Sequence, residues 1–481
     1  MNYRPSDVTV TIEPNSLLAN LGQAARIVAI VGLGPTTQTI VDQQVFHGTG
    51  SVDNLPAGTG ITVSQIASRQ GLLPGALDYV TGSLGSLYSP SAYSVSATGV
   101  ITWTTPPTQN TVYYVTYVRS IPTTQYVPIM YTNKTALVAA YGTESNTTGI
   151  LTVGGSIVLE NGSPGVLVVQ AQGSTFNRQN YYNAIDMLKK KDLIEDVICL
   201  FPTGSMGSGV TNSDVEAVQA YLYQHVQWCN QIYVKKERGM GVGQPSVNYM
   251  SDGFDLIGDQ NTPESYVGRS TAFHSQDTNN VVPSVVTRVA PDGSVMQLDG
   301  NFAACAVAGL RAAQPRRSTP LHGATLIGIS IPDDYWDENQ KLMLGAGNCM
   351  VLQSTGGIIT IYDAITTDPT SAETTEYSIP AVKRLVKRSI RDQIRNTYLN
   401  KGLTITTDVL SDIEGTTTTI LNSLVNQGEI AAYGVQTDPT TGEIPIKASL
   451  SGIDPRGVKV VGSVAYAFPL KFIDFVLFPF V

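Results

Sequence analysis

With 481 residues the chain is longer than one ordinary core, so two or more domains are expected. Hydrophobic residues make up 42%, which is globular, but charged residues make up only 14%, well below the roughly 25% of typical soluble domains. A formal net charge of −9 leaves no cationic excess for a phosphate backbone, which excludes a general nucleic-acid binder, and the 23 Tyr suit strand-rich surfaces that end up against other protein.

The first 25 residues read as an arm. Val8, Val10 and Ile12 alternate as a short strand, Pro14 ends it, and Arg4, Pro5 and Asp7 stand where a secretory leader needs an apolar run, so folding in a cytoplasm is expected. From Arg26, RIVAIVG reads as a buried strand closed by Gly and Pro. Between residues 44 and 125 the texture turns to short strands such as VITW and VYYVTYV, separated by turn residues. That stretch reads as an inserted, peripheral β domain splitting an α/β core of residues 26–43 plus 126–360.

From Gly165 strands and helices alternate. GVLVVQA is a strand, NYYNAIDMLKKKDL a helix, VICLFP a strand, and SDVEAVQAYLYQHVQWC a helix opened by a Ser213-to-Glu216 capping box. IYVKK then reads as a strand, NFAACAVAGLRAA as a helix, ATLIGISI as a strand and DENQKLMLGAG as a helix, with CMVL and IITIYDA as the last core strands. In a following domain, residues 361–456, Pro380 to Lys401 is the clearest helix. Val382, Leu385, Val386, Ile390, Ile394 and Tyr398 form its apolar stripe, and Lys383, Arg384, Lys387, Arg388, Arg391 and Arg395 oppose one acid, Asp392. TTTTILNSLVNQGEI is a second helix, and Asp438 to Gly442 a turn.

The end, residues 457–481, is the most apolar stretch. Lys459, Lys471 and Asp474, with Pro469 and Pro479, break it as a membrane span, and Val458, Val460, Gly462, Val464 and Tyr466 alternate as strands do. A free tail with Phe468, Phe472, Phe475, Phe478 and Phe480 would aggregate, so it must be covered.

No constellation for catalysis, a cofactor or a metal stands out. His47, His225, His274 and His322 fall in no zinc spacing, and His225 with Cys229 on one helix face reads as core. Cys199, Cys229, Cys305 and Cys349 sit apart in apolar segments, as reduced core thiols do. GMGVG, Gly239 to Gly243, lacks the helix that would cradle a phosphate and reads as a flexible loop, and GSMGSG lacks the spacing of a nucleophile elbow. Asp333, Asp334, Asp337 and Glu338 precede an apolar run and read as helix-start acids.

The order of segments resembles the tail sheath family of contractile phages, R-type pyocins and related injection systems. It does so most specifically over NFAACAVAGLRAA, ENQKLMLGAGNCMVLQSTGGIITIYDAITT, IPAVKRLVKRSIRDQIRNTYLNKG and ILNSLVNQGEI, which occur in the family's order. Upstream, IVAIVGLGP, TALVAAYGT and ENGSPGVLVVQA match less closely, and the β insertion has no counterpart in the shared core. The resemblance implies an α/β (α+β) multidomain fold with a mixed-sheet core and extended strand arms at both ends, to which the residues add the inserted all-β domain. It implies a structural, non-enzymatic subunit that polymerises as stacked hexameric rings around an inner tail tube and contracts to drive the tube through the host envelope. The partners implied are further copies of the chain, the tail tube protein, and baseplate and tail terminator proteins, with no direct nucleic-acid or membrane contact. The place implied is the virion, after assembly in the host bacterial cytoplasm. Val8, Val10 and Ile12, with Val458, Val460, Val464 and Tyr466, are the candidate arm strands; one strand of the C-terminal pair is expected to complete the chain's own sheet and the other to link neighbours. Lys383, Arg384, Lys387, Arg388, Arg391 and Arg395 are candidates to face the tube. A β-rich adhesin is the alternative that the Thr- and Tyr-rich insertion suggests.

Overall fold

A computed structural model describes residues 26–35, 37–47, 52–55, 59–67, 88–96, 99–105, 107, 112–122, 125–146, 148–173, 175–202, 210–231, 236–243, 265–398, 401, 403–434, 437–438, 442–443, 446–450 and 457–467. Val8, Val10, Ile12 and the five phenylalanines from Phe468 onward lie outside the described residues.

The first described strand, β1 (Ile27–Leu33), is β-branched and almost wholly buried, as a strand covered on both faces must be. The chain then leaves the core for six strands: β2 (Thr37–His47), β3 (Val52–Asn54), β4 (Thr59–Ala67), β5 (Tyr93–Val95), β6 (Val100–Trp103) and β7 (Val112–Pro122). They form two antiparallel sheets, in orders β2-β7-β4 and β3-β6-β5. Leu55, Ile61, Ile101, Trp103, Tyr113 and Tyr117 make a separate core there, with Trp103 edge-on to Tyr113 at 5.1 Å. The paired strands of this insertion run from Thr37 to Pro122. Its first strand carries polar residues, TQTIVDQQ, and only the pairing of Thr37 with Pro122 reveals it.

The chain re-enters through β8 (Ile129–Tyr131), α1 (Lys134–Tyr141), α2 (Ile150–Glu160), β9 (Val166–Ala171), α3 (Arg178–Met187), β10 (Ile194–Cys199), α4 (Asn212–Asn230), β11 (Gly239–Gly243), α5 (Tyr266–Phe273) and β12 (Thr278–Val282). A hairpin of β13 (Val285–Val289) and β14 (Val295–Asp299), α6 (Gly300–Ala313), β15 (Thr325–Leu326), α7 (Glu338–Ala346), β16 (Met350–Thr355) and β17 (Ile358–Ile361) complete the core. Its sheet has nine strands in the order β15-β17-β16-β12-β11-β10-β1-β9-β8. The six middle strands are mutually parallel, and the strands at both edges are antiparallel. The order β9-β1-β10-β11-β12 is the doubly wound arrangement, in which helices cover both faces.

Helix starts follow the sequence closely. Asp337 caps α7 in a reciprocal box with Gln340, as read for the acids after Pro332. At α4 the box is Thr211 with Asp214, two residues upstream of the Ser213–Glu216 pair read from the sequence, because both sets satisfy the same spacing rule. GMGVG is no loop. It is the buried central strand β11, and a Cβ at Gly243 would collide with the Gly300 backbone, so glycine lets α6 lie directly on the strand. Of IYVKK, residues 232–235 lie outside the described residues, and of ATLIGISI Thr325–Leu326 forms a strand while Ser330 makes a single antiparallel bridge to Thr287.

The end of the chain builds a second, smaller body: α8 (Ala372–Thr375), α9 (Ser378–Tyr398), α10 (Thr407–Asn426), β18 (Ala432–Tyr433), β19 (Thr437–Asp438), β20 (Gly442–Glu443), β21 (Lys447–Leu450), β22 (Val458–Val461) and β23 (Val464–Ala465). Its core is the expected apolar stripe of α9 with Ile413, Ile420, Leu421 and Leu424 of α10, closed by Val464 and Tyr466.

The parallel strands give the molecule two ends. β1 enters the insertion from its carboxyl end, and the return path meets β9 at the same end, where Tyr126 N–H donates to Gln170 O at 2.9 Å. The smaller body docks at the opposite end, where β10, β11 and β12 begin.

Candidate assembly surfaces

At a doubly wound sheet the first place for a ligand is the crevice outside the carboxyl ends of the strands flanking the switch in order. Here the described residues fill it. Tyr181 donates its hydroxyl to Leu200 O at 2.6 Å, its ring stacks on Phe201 at 5.5 Å, and the Gln170 amide donates to Pro35 O at 2.8 Å. His225 lies 3.5 Å from Cys229 Sγ and 3.3 Å from a buried Arg238 nitrogen, and burial beside that cation lowers the imidazole to about 3. All four cysteines are free and buried, and burial pushes the Cys349 thiol up to about 12. Among the described residues no group of His, Cys, Asp and Glu is placed to hold a metal, and no helix is long and apolar enough to cross a membrane.

The charged face of α9 meets the core. Arg384 donates to Asp277 at 2.7 Å and reaches Glu195 at 3.5 Å, while Arg317, from the loop after α6, grips the other Glu195 oxygen at 2.9 Å. Arg391 pairs with Glu237, and Arg388 donates to the Glu237 carbonyl at 2.9 Å. Glu195 is only 5% exposed; burial opposes its charge, but Arg317, Arg384, Arg388 and Arg311 outweigh burial and hold it well below the usual carboxylate range. Beside it, burial raises Asp196, which accepts from the Tyr377 hydroxyl at 2.7 Å. Glu429, just past α10, adds a latch by accepting from Ser318 N–H at 2.6 Å.

Of the six cations of α9, Arg384, Arg388 and Arg391 are 6–9% exposed: Arg384 and Arg391 meet acids of their own chain and Arg388 a backbone carbonyl. Lys383 is half-buried near Glu373 at 3.8 Å, Lys387 is half-buried, and Arg395 is exposed. The acids that neutralise the helix are scattered over β10, the approach to β11 and the approach to β12, so no local pattern announces them.

The C-terminal strands pair within the chain. β22 pairs antiparallel with β21, Val460 opposite Ala448, and β23 pairs with β18, Val464 opposite Tyr433. Val464 and Tyr466 are buried, and Val458 and Val460 pack on the same core of their own chain. Each of these small sheets has two strands; Glu414 of α10 takes the Ala448 N–H of β21, and no further strand pairs with β18, β22 or β23 among the described residues.

A second ionic group lies on the core's far side. Arg288 on β13 makes paired hydrogen bonds of 2.7–2.8 Å to Glu144 and Glu160, and Lys134 reaches Glu144 at 2.5 Å. It floors a shallow cleft of about 320 Å³ that Val289, Pro291 and Gly328 also line. With every carboxylate there paired to a cation, the group reads as structural.

No family model matches the chain. In sequence it is 24% identical over 260 residues to the tail sheath protein of Mycobacterium phage Bxz1; the match covers 53% of this chain and 40% of that protein, so the chain spans less than half of that curated relative. In structure it superposes on the helical sheath of the anti-feeding prophage in its contracted state with a TM-score of 0.53 and 8% identity, covering 99% of both chains. The sheath complex of the PVC extracellular contractile injection system, also contracted, gives a TM-score of 0.53 at 11% identity over 99% of this chain and 98% of that one. By sequence over half its length, and by fold over nearly all of it, the chain is similar to the sheath proteins of contractile tails and related injection systems.

Proposed function

We propose that the chain is the structural subunit of a contractile sheath, polymerising helically around an inner tail tube and contracting to drive that tube through a host envelope. The observation that carries this reading is the end-to-end likeness to a helical sheath, 99% of both chains, which an isolated shared domain would not produce. In this reading the chain performs no catalysis. Its partners are further copies in stacked hexameric rings, a tail tube protein, and baseplate and tail terminator proteins; its place is the virion, after assembly in the host cytoplasm.

Residues 1–25, with Val8, Val10 and Ile12, serve as an arm that adds a strand to an open edge of the β21–β22 or β18–β23 pair of a neighbour. Backbone hydrogen bonds supply such a link with little demand on sequence, and the unfilled edges support it. The insertion, at the end of the sheet away from this body, is peripheral: a chain in which residues 37–122 give way to a short linker is expected to fold and still assemble. Loss of folding, seen by circular dichroism, would make the insertion part of the core.

The test of the reading is negative-stain microscopy of the purified chain. Hollow tubes or ring stacks are expected; discrete trimers that bind glycan and never form tubes would replace the sheath with a β-rich adhesin.

A further inference from the structure

One carboxyl of the core is buried with no cation to answer it among the described residues. Asp299 ends β14 opposite Val285 and is the N-cap of α6, where its side chain accepts from Asn301 N–H at 2.9 Å. It is 2% exposed. The titratable groups that face it carry no charge: the Tyr181 hydroxyl of α3 and the Cys305 thiol of α6, with the Cys199 thiol of β10 next to both, are each pushed up by burial. The cations of the neighbouring elements are engaged elsewhere. Arg269 of α5 is bonded to Glu216 at 3.1 Å and to Gln219 at 2.5 Å, and Arg288 of β13 to Glu144 and Glu160.

The helix start that Asp299 caps is a point of close contact. The Gly300 backbone lies where a Cβ of Gly243 would stand, and Asn301 Oδ1 accepts from Gly243 N–H at 3.1 Å and from the Gln219 amide at 3.0 Å. α6, β11 and α4 are tied together there. Asn caps a helix as well as Asp does, so an amide at this position would hold the turn with no charge to bury. The carboxyl brings a proton equilibrium instead. Burial disfavours its charged form more than the Asn301 and Phe302 donors favour it, and lifts it to about 7.

We propose that Asp299 is a proton-operated latch on the contact of α6 with β11 and α4, tightest while the carboxyl holds its proton and looser once the proton has left. Opening the turn returns the carboxyl to water, where it ionises in its ordinary range, about 3.9. Between that value and about 7 the closed turn binds more protons than the open one, so its stability falls as pH rises across this window and levels off above it. The sign is opposite to that of Glu195, whose charged form the fold favours. The device belongs to the single subunit and does not depend on what the chain assembles into.

The experiment compares the full chain with Asp299→Asn by urea unfolding at a series of pH values, and by hydrogen exchange of the α6 amides corrected for their intrinsic rates. Taking the ratio of the two unfolding constants cancels the titration of all other groups. Relative to the variant, the unfolding constant of the unaltered chain is expected to rise about a hundredfold from pH about 5 to pH about 8, most of it by pH about 7. Protection of α6 is expected to fall over the same range in the unaltered chain and to stay level in Asp299→Asn. A ratio that stays flat, or an α6 whose protection in the unaltered chain ignores pH, overturns the latch. If Asp299→Asn does not fold, exchange in the unaltered chain decides alone, a fall in α6 protection supporting the latch and level protection overturning it.

Discussion

Arg384→Ala is expected to destabilise the folded chain by about 3–5 kcal/mol, the cost of leaving buried charge without its partner. Arg384 reaches two acids of the core, Asp277 at 2.7 Å and Glu195 at 3.5 Å, and Glu195 is 5% exposed. Urea unfolding followed by circular dichroism reads the effect, and a loss below about 1 kcal/mol, the range of exposed pairs, would show that water reaches the seam. The companion variant Glu195→Gln gives the sign in pH. The folded chain holds the Glu195 carboxyl below its ordinary range, because Arg317 and its neighbours outweigh burial, so its contribution is present above the unfolded-state value of about 4.3 and fades as pH falls through the lower folded value. The stability gap between the unaltered chain and Glu195→Gln is therefore expected to be full at neutral pH and to close on acidification; a gap that widened below pH about 4 would contradict it.

Deleting residues 1–20 is expected to leave a cooperative melt and abolish tubes. The described core begins at Arg26, which donates to Pro315 O at 2.9 Å, and β1 is fully paired between β9 and β10 without help from the residues before it. What the deletion removes is the alternating Val8, Val10 and Ile12 that would pair with a neighbour's open edge. Deleting 458–481 is different in kind. It takes Val464 and Tyr466 from the core of the smaller body, so folding as well as assembly is expected to suffer. Normal tubes from the N-terminal deletion would leave surface-to-surface docking as the whole basis of the polymer.

Much of the fold was legible because its strands are covered on both faces: IVAIVGL is apolar throughout, VLVVQA carries one Gln and β10 ends in the apolar VIC, and the helices between them carry recognisable caps. β11 was not legible. A strand chosen for close approach of a helix is written in glycine, and glycine also writes loops. The charged face of α9 was legible as a face but not in its destination, since Glu195, Glu237 and Asp277 lie more than 100 positions away in sequence from the arginines they meet. The same holds for β22 and β23: alternation shows that Val458 to Tyr466 pairs with something, and only the fold shows that the partners, β21 and β18, are its own.

The separation of the insertion from the smaller body has a consequence for how such a chain changes over time. A six-residue strand rises about 20 Å, so the parallel sheet holds the insertion's root a strand's length from the α9 seam. Both ends of the excursion, after Leu33 and before Ile129, leave and return at one margin. A segment rooted in that way can lengthen, shrink or be exchanged for foreign cargo with no change to the α9 seam or to the strand pairs of the smaller body. The margin is therefore a natural grafting point, through which a tube of many copies could display one peptide per subunit in a regular array.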